Sequence, residues 1–388
     1  MNFETAEDVE HIRQAVRSMC ERFPDEYWSE KEANHEFAWD FLETFADAGY
    51  LGICIPEEFG GSGAGVTEAA ALMYEIAASG GALSACSTIH MPLFGLMPII
   101  KHGSDALKQE YLPRAAEGKL TVSFGVTEPN SGTDTSRIKT TAKKVDGGYI
   151  VNGHKTWISL AQEAERVLLI TRTTPREECK KPTEGMTLLF AELDRDKIEV
   201  RRIPKLGRNA VDSNELFIEN LFVPDSDRIG EEGRGFRYLL DGLNPERVLV
   251  AAECLGMGRV ALSRAVEYVK QRIVFDRPIG KNQGVQFPLA ESFAKLDAAE
   301  LIMEKAAWLY DNGLPAGKEA NEAKLLCSTY AFEAADRALQ FHGGYGYAKE
   351  YHVERYWREV RLLRITPIAN EFVLAYLAEH EMGLPRSY

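Results

Sequence analysis

The sequence predicts an α+β chain in three consecutive blocks: an N-terminal α-helical domain over 1–119, a central β domain over 120–228, and a C-terminal α-helical bundle over 229–388. Two observations lead there. Apolar residues recur at helical spacing at both ends and at strand-like spacing in the middle. The length of 388 residues suits two or three domains, at roughly 150 residues each.

In the first block Phe37, Phe41, Leu42 and Phe45 share one helical face, as do Ala71, Met73, Ile76 and Ala77. Between them, Phe59-Gly60-Gly61-Ser62-Gly63-Ala64-Gly65 lacks the Gly-Lys-Ser/Thr of a phosphate loop and reads as a plain loop. In the second block, Tyr149-Ile150-Val151 and His154–Ile158 flank Asn152-Gly153, which predicts a hairpin through a type I′ turn. The runs Val167–Ile170, Thr187–Leu193, Ile198–Ile203 and Glu215–Phe222 add four strands. Strands this dense, with no helix between them, predict an antiparallel barrel or sandwich. In the third block, amphipathic stretches at 245–273, 286–312 and 317–341 predict long packed helices.

Composition excludes several functions. The chain has 45 Lys+Arg against 59 Asp+Glu, a formal charge of -14, which argues against nucleic-acid binding because phosphate neutralisation needs clustered cations. No uninterrupted apolar run approaches the roughly 18–20 residues of a membrane span. The start, MNFETAEDVEHIRQ, lacks secretory or transit character, so a cytoplasmic, bacterial-type protein is expected, or a mitochondrial-matrix one if a transit peptide has been removed. Six scattered cysteines without a C-x-x-C pair fit a reducing compartment. His35-Glu36 is not followed by a second His at zincin spacing, and no metal is expected.

The segment Val122-Ser123-Phe124-Gly125-Val126-Thr127-Glu128-Pro129-Asn130-Ser131-Gly132-Thr133-Asp134 is followed about twenty residues later by Asn152-Gly153-His154-Lys155-Thr156-Trp157-Ile158-Ser159. Further on come Asn244-Pro245-Glu246-Arg247, Arg272-Ile273-Val274-Phe275 and Gln340-Phe341-His342-Gly343-Gly344-Tyr345-Gly346. In this order and spacing they resemble the acyl-CoA dehydrogenase family of flavoproteins over nearly the whole chain.

That resemblance implies a central antiparallel β-barrel, a C-terminal four-helix bundle, and FAD as cofactor. Phe124, Val126 and Thr127 would hold the flavin ring, with Gly132 and Thr133 approaching flavin and substrate. Trp157 would cover the face away from substrate, Ile158 beside it would also contact the cofactor, and Ser159 would donate to the redox-active edge. Arg272, Phe275, Asn282, Gln283, Gln340, Gly343 and Gly344 would clasp the ADP half of a neighbouring subunit's FAD. This implies a homo-oligomer, by family norm a tetramer arranged as a dimer of dimers. Arg suits a pyrophosphate because its planar fork makes paired charge-assisted bonds. The chain departs from relatives at Asp276, where they usually carry Gly.

Dehydrogenating an acyl thioester needs a carboxylate over the α carbon. Most relatives place it where this chain has Pro367, within Thr366-Pro367-Ile368-Ala369-Asn370-Glu371. A subgroup resembling isovaleryl-CoA and long-chain dehydrogenases carries the base just before an Arg, the position of Glu246-Arg247. Glu246 is therefore the expected base. Glu371, a polar position near the flavin, is the weaker candidate. Proline also lacks the N–H that relatives offer to the thioester oxygen, so Ile368 N–H is expected to replace it. Asn244, Arg247 and Thr133 would meet substrate, with Arg137 a further cation for CoA. The implied reaction is dehydrogenation to the trans-2-enoyl-CoA, in fatty-acid β-oxidation, with electrons passing to an electron-transfer flavoprotein. A flavin-dependent oxidase or monooxygenase, or a non-catalytic acyl-CoA- or flavin-binding relative, is the alternative.

Overall fold

The computed structural model describes residues 6–387, apart from the side chains of Pro92 and Phe94. The first block is α1 (Glu7–Cys20), α2 (Asp25–Asn34), α3 (Trp39–Asp47), α4 (Val66–Ile76), α5 (Ala82–Gly95), α6 (Met97–His102) and α7 (Asp105–Ala116). The phosphate-loop look-alike is indeed a loop, packed ahead of α4. The stretch Val66–Met91 is long and apolar enough to cross a membrane by length and composition, but 83% of its apolar window lies buried inside the protein.

The middle block is β1 (Val122–Gly125), β2 (Thr141–Val145), β3 (Gly148–Ser159), β4 (Arg166–Arg172), β5 (Met186–Glu192), β6 (Ile198–Arg202), β7 (Ser213–Pro224) and β8 (Arg228–Ile229). They form one sheet in the order β6-β7-β3-β2-β4-β5-β8, with β1 added beside β4. The pairing is antiparallel except that β1 and the Thr141 end of β2 run parallel to β4.

The predicted hairpin at Asn152-Gly153 does not form. β3 runs straight through both residues and bulges there against β7. The Asn152 side chain instead pairs across the sheet with Asn220. Gly153 serves close packing, since a Cβ would lie 2.3 Å from Thr140 Oγ1. The tight turn falls six residues earlier, at Asp146-Gly147, where Gly147 has φ +75° and joins β2 to β3.

The last block is α8 (Gly235–Asp241), α9 (Leu243–Gln271), the hairpin β9 (Ile273–Val274) and β10 (Arg277–Pro278), then α10 (Gln283–Asp311), α11 (Gly317–His342), α12 (Val353–Leu362) and α13 (Asn370–His380). The three longest helices match the three amphipathic stretches. α9 packs on α4, α5, α10, α11 and α12. The terminal blocks therefore share one core, in which Phe41, Leu72 and Ile89 join Val248, Leu255, Leu296 and Val360. A second cluster joins α6 and α7 to one sheet face through Leu107, Leu112, Leu168 and Phe190.

Candidate active site

Two motifs far apart in sequence are tied together on the sheet. Thr156 N–H donates to Thr127 O at 2.9 Å, and Ser123 Oγ donates to Ser159 O at 2.9 Å. Beneath them the buried Lys155 Nζ donates to Val126 O at 3.1 Å and to Glu128 Oε1 at 2.9 Å. Glu128 also accepts from the N–H groups of Lys139, 2.6 Å, and Thr140, 3.0 Å. Burial pushes the Lys155 ammonium down to about 8, against the pull of Glu128. Burial works against the Glu128 charge too, but Lys155 and the donors outweigh it and hold the carboxyl below its usual range. Both groups are charged at pH 7. The Val126-Thr127 turn is thereby fixed beside β3.

Trp157 stands on that platform. Its φ is +60°, unusual for a large residue, and it lies where β3 shifts register against β7 between Lys155 and Ile158. Its side chain is 57% exposed. Ile158 points the other way: it is buried in the sheet core and its carbonyl accepts from Asn214 Nδ2 at 2.9 Å. Ser159 Oγ accepts from Arg208 Nη2 at 2.8 Å, which leaves the hydroxyl proton to donate elsewhere. Phe124 and Val126 are half-buried against the α6–α7 core. Gly132 and Thr133 are exposed, and a Cβ on Gly132 would meet no protein atom within 4 Å.

Glu246 lies in the first turn of α9, 7% exposed. It lines a cavity of about 100 Å³ with Cys54, Leu93, Met97, Leu249, Tyr310 and Asp311 among the walls. Its Oε2 lies 2.5 Å from His90 Nε2, and the other ring nitrogen lies 2.6 Å from Glu253 Oε1. Glu246 Oε1 accepts no hydrogen bond among the described residues. His90 and Glu253 escaped sequence reading.

Around this centre, Arg247 Nη1 donates to Asn244 Oδ1 at 2.9 Å, and burial lowers the Arg247 pKa despite the nearby Glu246. The buried Lys324 of α11 donates to Ile368 O, 2.5 Å, and to Asn370 Oδ1, 2.7 Å. Burial lowers Lys324 to about 8, with Glu371 and Arg247 both close enough to act on it. The Thr366–Asn370 loop, with its cis Thr366–Pro367 bond, is thus pinned near the start of α9. The Ile368 N–H has no hydrogen-bond partner among the described residues.

The third group gathers at the other end of the bundle. The Arg272 guanidinium lies 5.9 Å from the Tyr345 ring centroid, which brings it to the turn holding Gly343 and Gly344. Gln283, Gln340, Gly343 and Gly344 are exposed, and a Cβ on either glycine would meet nothing within 4 Å. Asn282 Oδ1 is engaged by Arg277 Nη2 at 2.6 Å. Phe275, 94% exposed, and Asp276 both have positive φ, +51° and +60°, as in a two-residue type I′ turn. Such a turn favours Gly at 276, and Asp, tolerant of that region, can stand there instead. Among the described residues no group of three His, Cys, Asp or Glu is placed to hold a metal ion.

These parts define a flavoenzyme of helix–sheet–helix build with a carboxylate buried at a small apolar cavity. Models of the acyl-CoA dehydrogenase N-terminal, middle and C-terminal domains match residues 6–119, 123–221 and 233–380. The chain belongs to the acyl-CoA dehydrogenase family. It is 35% identical over 396 residues to acyl-CoA dehydrogenase FadE12 of Mycobacterium tuberculosis, covering 100% of this chain and 99% of the relative. It is similar to a solved structure from work on the electron transferring flavoprotein of Acidaminococcus fermentans and flavin-based electron bifurcation (TM-score 0.93, 31% identity, 98% and 100% covered). It is also similar to one described as the FAD complex of PigA (TM-score 0.93, 25% identity, 99% and 100% covered).

FAD is the cofactor of this oxidoreductase, and the residues present fit it. Trp157 is an exposed aromatic held in a left-handed conformation. Ser159 has a proton to donate, and Gly132, Gly343 and Gly344 face open space.

Proposed function

We propose that the protein dehydrogenates short-chain acyl-CoA thioesters to trans-2-enoyl-CoA with Glu246 as the α-proton base. The observation that carries this is the Glu246 carboxylate, buried on the cavity wall with one oxygen unbonded among the described residues. Ile368 N–H, also unpartnered among the described residues, takes the thioester oxygen in place of the N–H that Pro367 lacks. Arg247 and Asn244 order the first turn of α9 beside the substrate. Thr127, Trp157 and Ser159 hold the flavin ring, and Arg272, Phe275, Gln340, Gly343 and Gly344 hold the ADP half from a second subunit. FAD supplies the acceptor for the β hydride. Electrons leave to an electron-transfer flavoprotein, a reading supported by the Acidaminococcus likeness.

A cavity of about 100 Å³ is smaller than the roughly 150 Å³ void that holds a benzene ring. That favours acyl tails of few carbons over the branched or long chains the subgroup resemblance suggested. Anaerobic mixing of the yellow protein with acyl-CoAs of increasing length tests this: the flavin band bleaches fastest with short chains. Bleaching only with long chains would contradict the substrate assignment. Pro367 keeps one second reading open, an oxidase on the same scaffold, and rapid oxygen consumption during turnover would favour it.

A further inference from the structure

We propose that His90 is the positioning residue of the base: anchored by Glu253, it donates to one oxygen of Glu246 and holds the other towards the cavity. This rests on the reading of Glu246 as the base. The three side chains form a line across two helices. His90 projects from α5, and Glu246 and Glu253 stand two turns apart on the same face of α9. The ring contacts are 2.5 Å to Glu246 and 2.6 Å to Glu253. All three residues are buried, at 7%, 7% and 2% exposure for His90, Glu246 and Glu253. Each ring nitrogen faces a carboxylate oxygen, and only the imidazolium can donate from both. Burial alone would strip that proton. The two carboxylates outweigh it and hold His90 protonated well above the usual histidine range.

Charge explains why the line has three members. Two carboxylates and one imidazolium sum to one negative charge, and taking the α proton brings the trio to neutrality, the less costly state in a dry interior. With His90 but not Glu253, the same proton would leave a lone buried cation, and Glu246 would be a weaker base. With both carboxylates but no His90, like charges would share one buried place and favour a bound proton. Glu253 offsets the charge of the imidazolium, and His90 aims the base.

Other charged groups face the trio from the packed elements. Arg208 donates to Ser87 Oγ on α5 at 3.1 Å. Glu359 of α12 accepts from Ser84 N–H and Oγ, each at 2.9 Å. Arg247 lies beside Glu246, Lys324 of α11 lies near Cys254, and Asp311 of α10 accepts from Val66 and Thr67 at the cavity. Each is present in every variant below, so opposite effects of the two substitutions isolate the trio.

The test uses the FAD-loaded protein and its His90→Gln and Glu253→Gln variants. The rate of anaerobic flavin bleaching by a saturating short acyl-CoA is followed against pH, and acyl-CoA affinity is read from the flavin spectrum. His90→Gln should move the rising limb of the profile up by about one pH unit or more, and Glu253→Gln should move it down. Affinity should change little in either. Limbs that stay in place, or that move in the same direction, overturn the proposal. If His90→Gln fails to retain flavin, Glu253→Gln decides alone: a downward shift supports the line and anything else refutes it. Glu246→Gln is run in parallel. If it bleaches at the wild-type rate, the base reading fails and this inference with it; if it is silent while the limbs stay fixed, only the His90 role fails.

Discussion

Trp157 combines two features that cost stability in an isolated subunit: a left-handed backbone and a side chain 57% exposed. Both make sense if the indole covers a bound ring. Trp157→Ala is therefore expected to change the thermal unfolding of flavin-free protein by no more than about 0.5 kcal/mol. The purified variant should carry a clearly lower ratio of visible to ultraviolet absorbance, because FAD is lost. An unchanged flavin ratio would remove Trp157 from the site. At this scale some chemistry was legible in the chain and some was not. The proposed base Glu246 could be picked out because its neighbours Asn244, Pro245 and Arg247 carry the resemblance and Pro367 occupies the usual position. His90 could not, because nothing in its own helix marks it and it meets Glu246 only across 156 residues of sequence. Arg208, whose guanidinium reaches Ser159, was hidden for the same reason.

Among the elements, β3 is tied down by a buried ion pair. Lys155 has no exposed side-chain surface, and Glu128 is 7% exposed at the side chain. Removing one partner leaves a buried uncompensated charge, so Lys155→Met should destabilise the protein by about 3–5 kcal/mol in denaturant unfolding. It should also loosen the Val126-Thr127 turn and weaken flavin retention. The pH dependence follows from the sign. Glu128 has a folded value below its ordinary 4.5, so its contribution is complete above that pH and is lost as pH falls through the lower folded value. Acid unfolding of wild type should therefore show a Glu128 component that Glu128→Gln lacks. The misplaced hairpin belongs to this scale as well. Asn-Gly is a strong turn signal, yet here Gly153 is needed for close approach to Thr140 and Asn152 for its bond across the sheet. Asp146-Gly147 carries the turn instead. A local pattern cannot tell a bulge from a turn when tertiary packing supplies the reason for the glycine. The long helices, by contrast, were legible because their apolar stripes repeat over many turns.

In the whole molecule, α10 exposes Phe287, Phe293, Leu301 and Trp308, and the β9–β10 hairpin exposes Ile273 and Phe275. A surface this apolar fits burial against other copies of the chain, and the exposed Phe275 of the hairpin is itself one of the proposed clasp residues. Light scattering of the FAD-loaded protein should give about four times the 43.4 kDa subunit mass. Phe293→Glu combined with Leu301→Glu should lower that mass and release FAD together. A tetramer that persists while FAD is lost, or the reverse, would separate the assembly from the cofactor site. The three-block layout was visible in the sequence, but its core was not. The helices of the first and last blocks pack as one unit, through contacts too distant in sequence for periodicity to register.

The reaction assignment is tested most directly at Glu246. FAD-loaded wild type and Glu246→Gln are mixed anaerobically with the acyl-CoA that bleaches wild type fastest, and the decay of the flavin band is timed. Loss of a general base typically costs about 10²–10⁴-fold, so the variant should keep its flavin, bind the thioester and bleach slower by that factor. Bleaching of the variant at the wild-type rate would contradict Glu246 as the base.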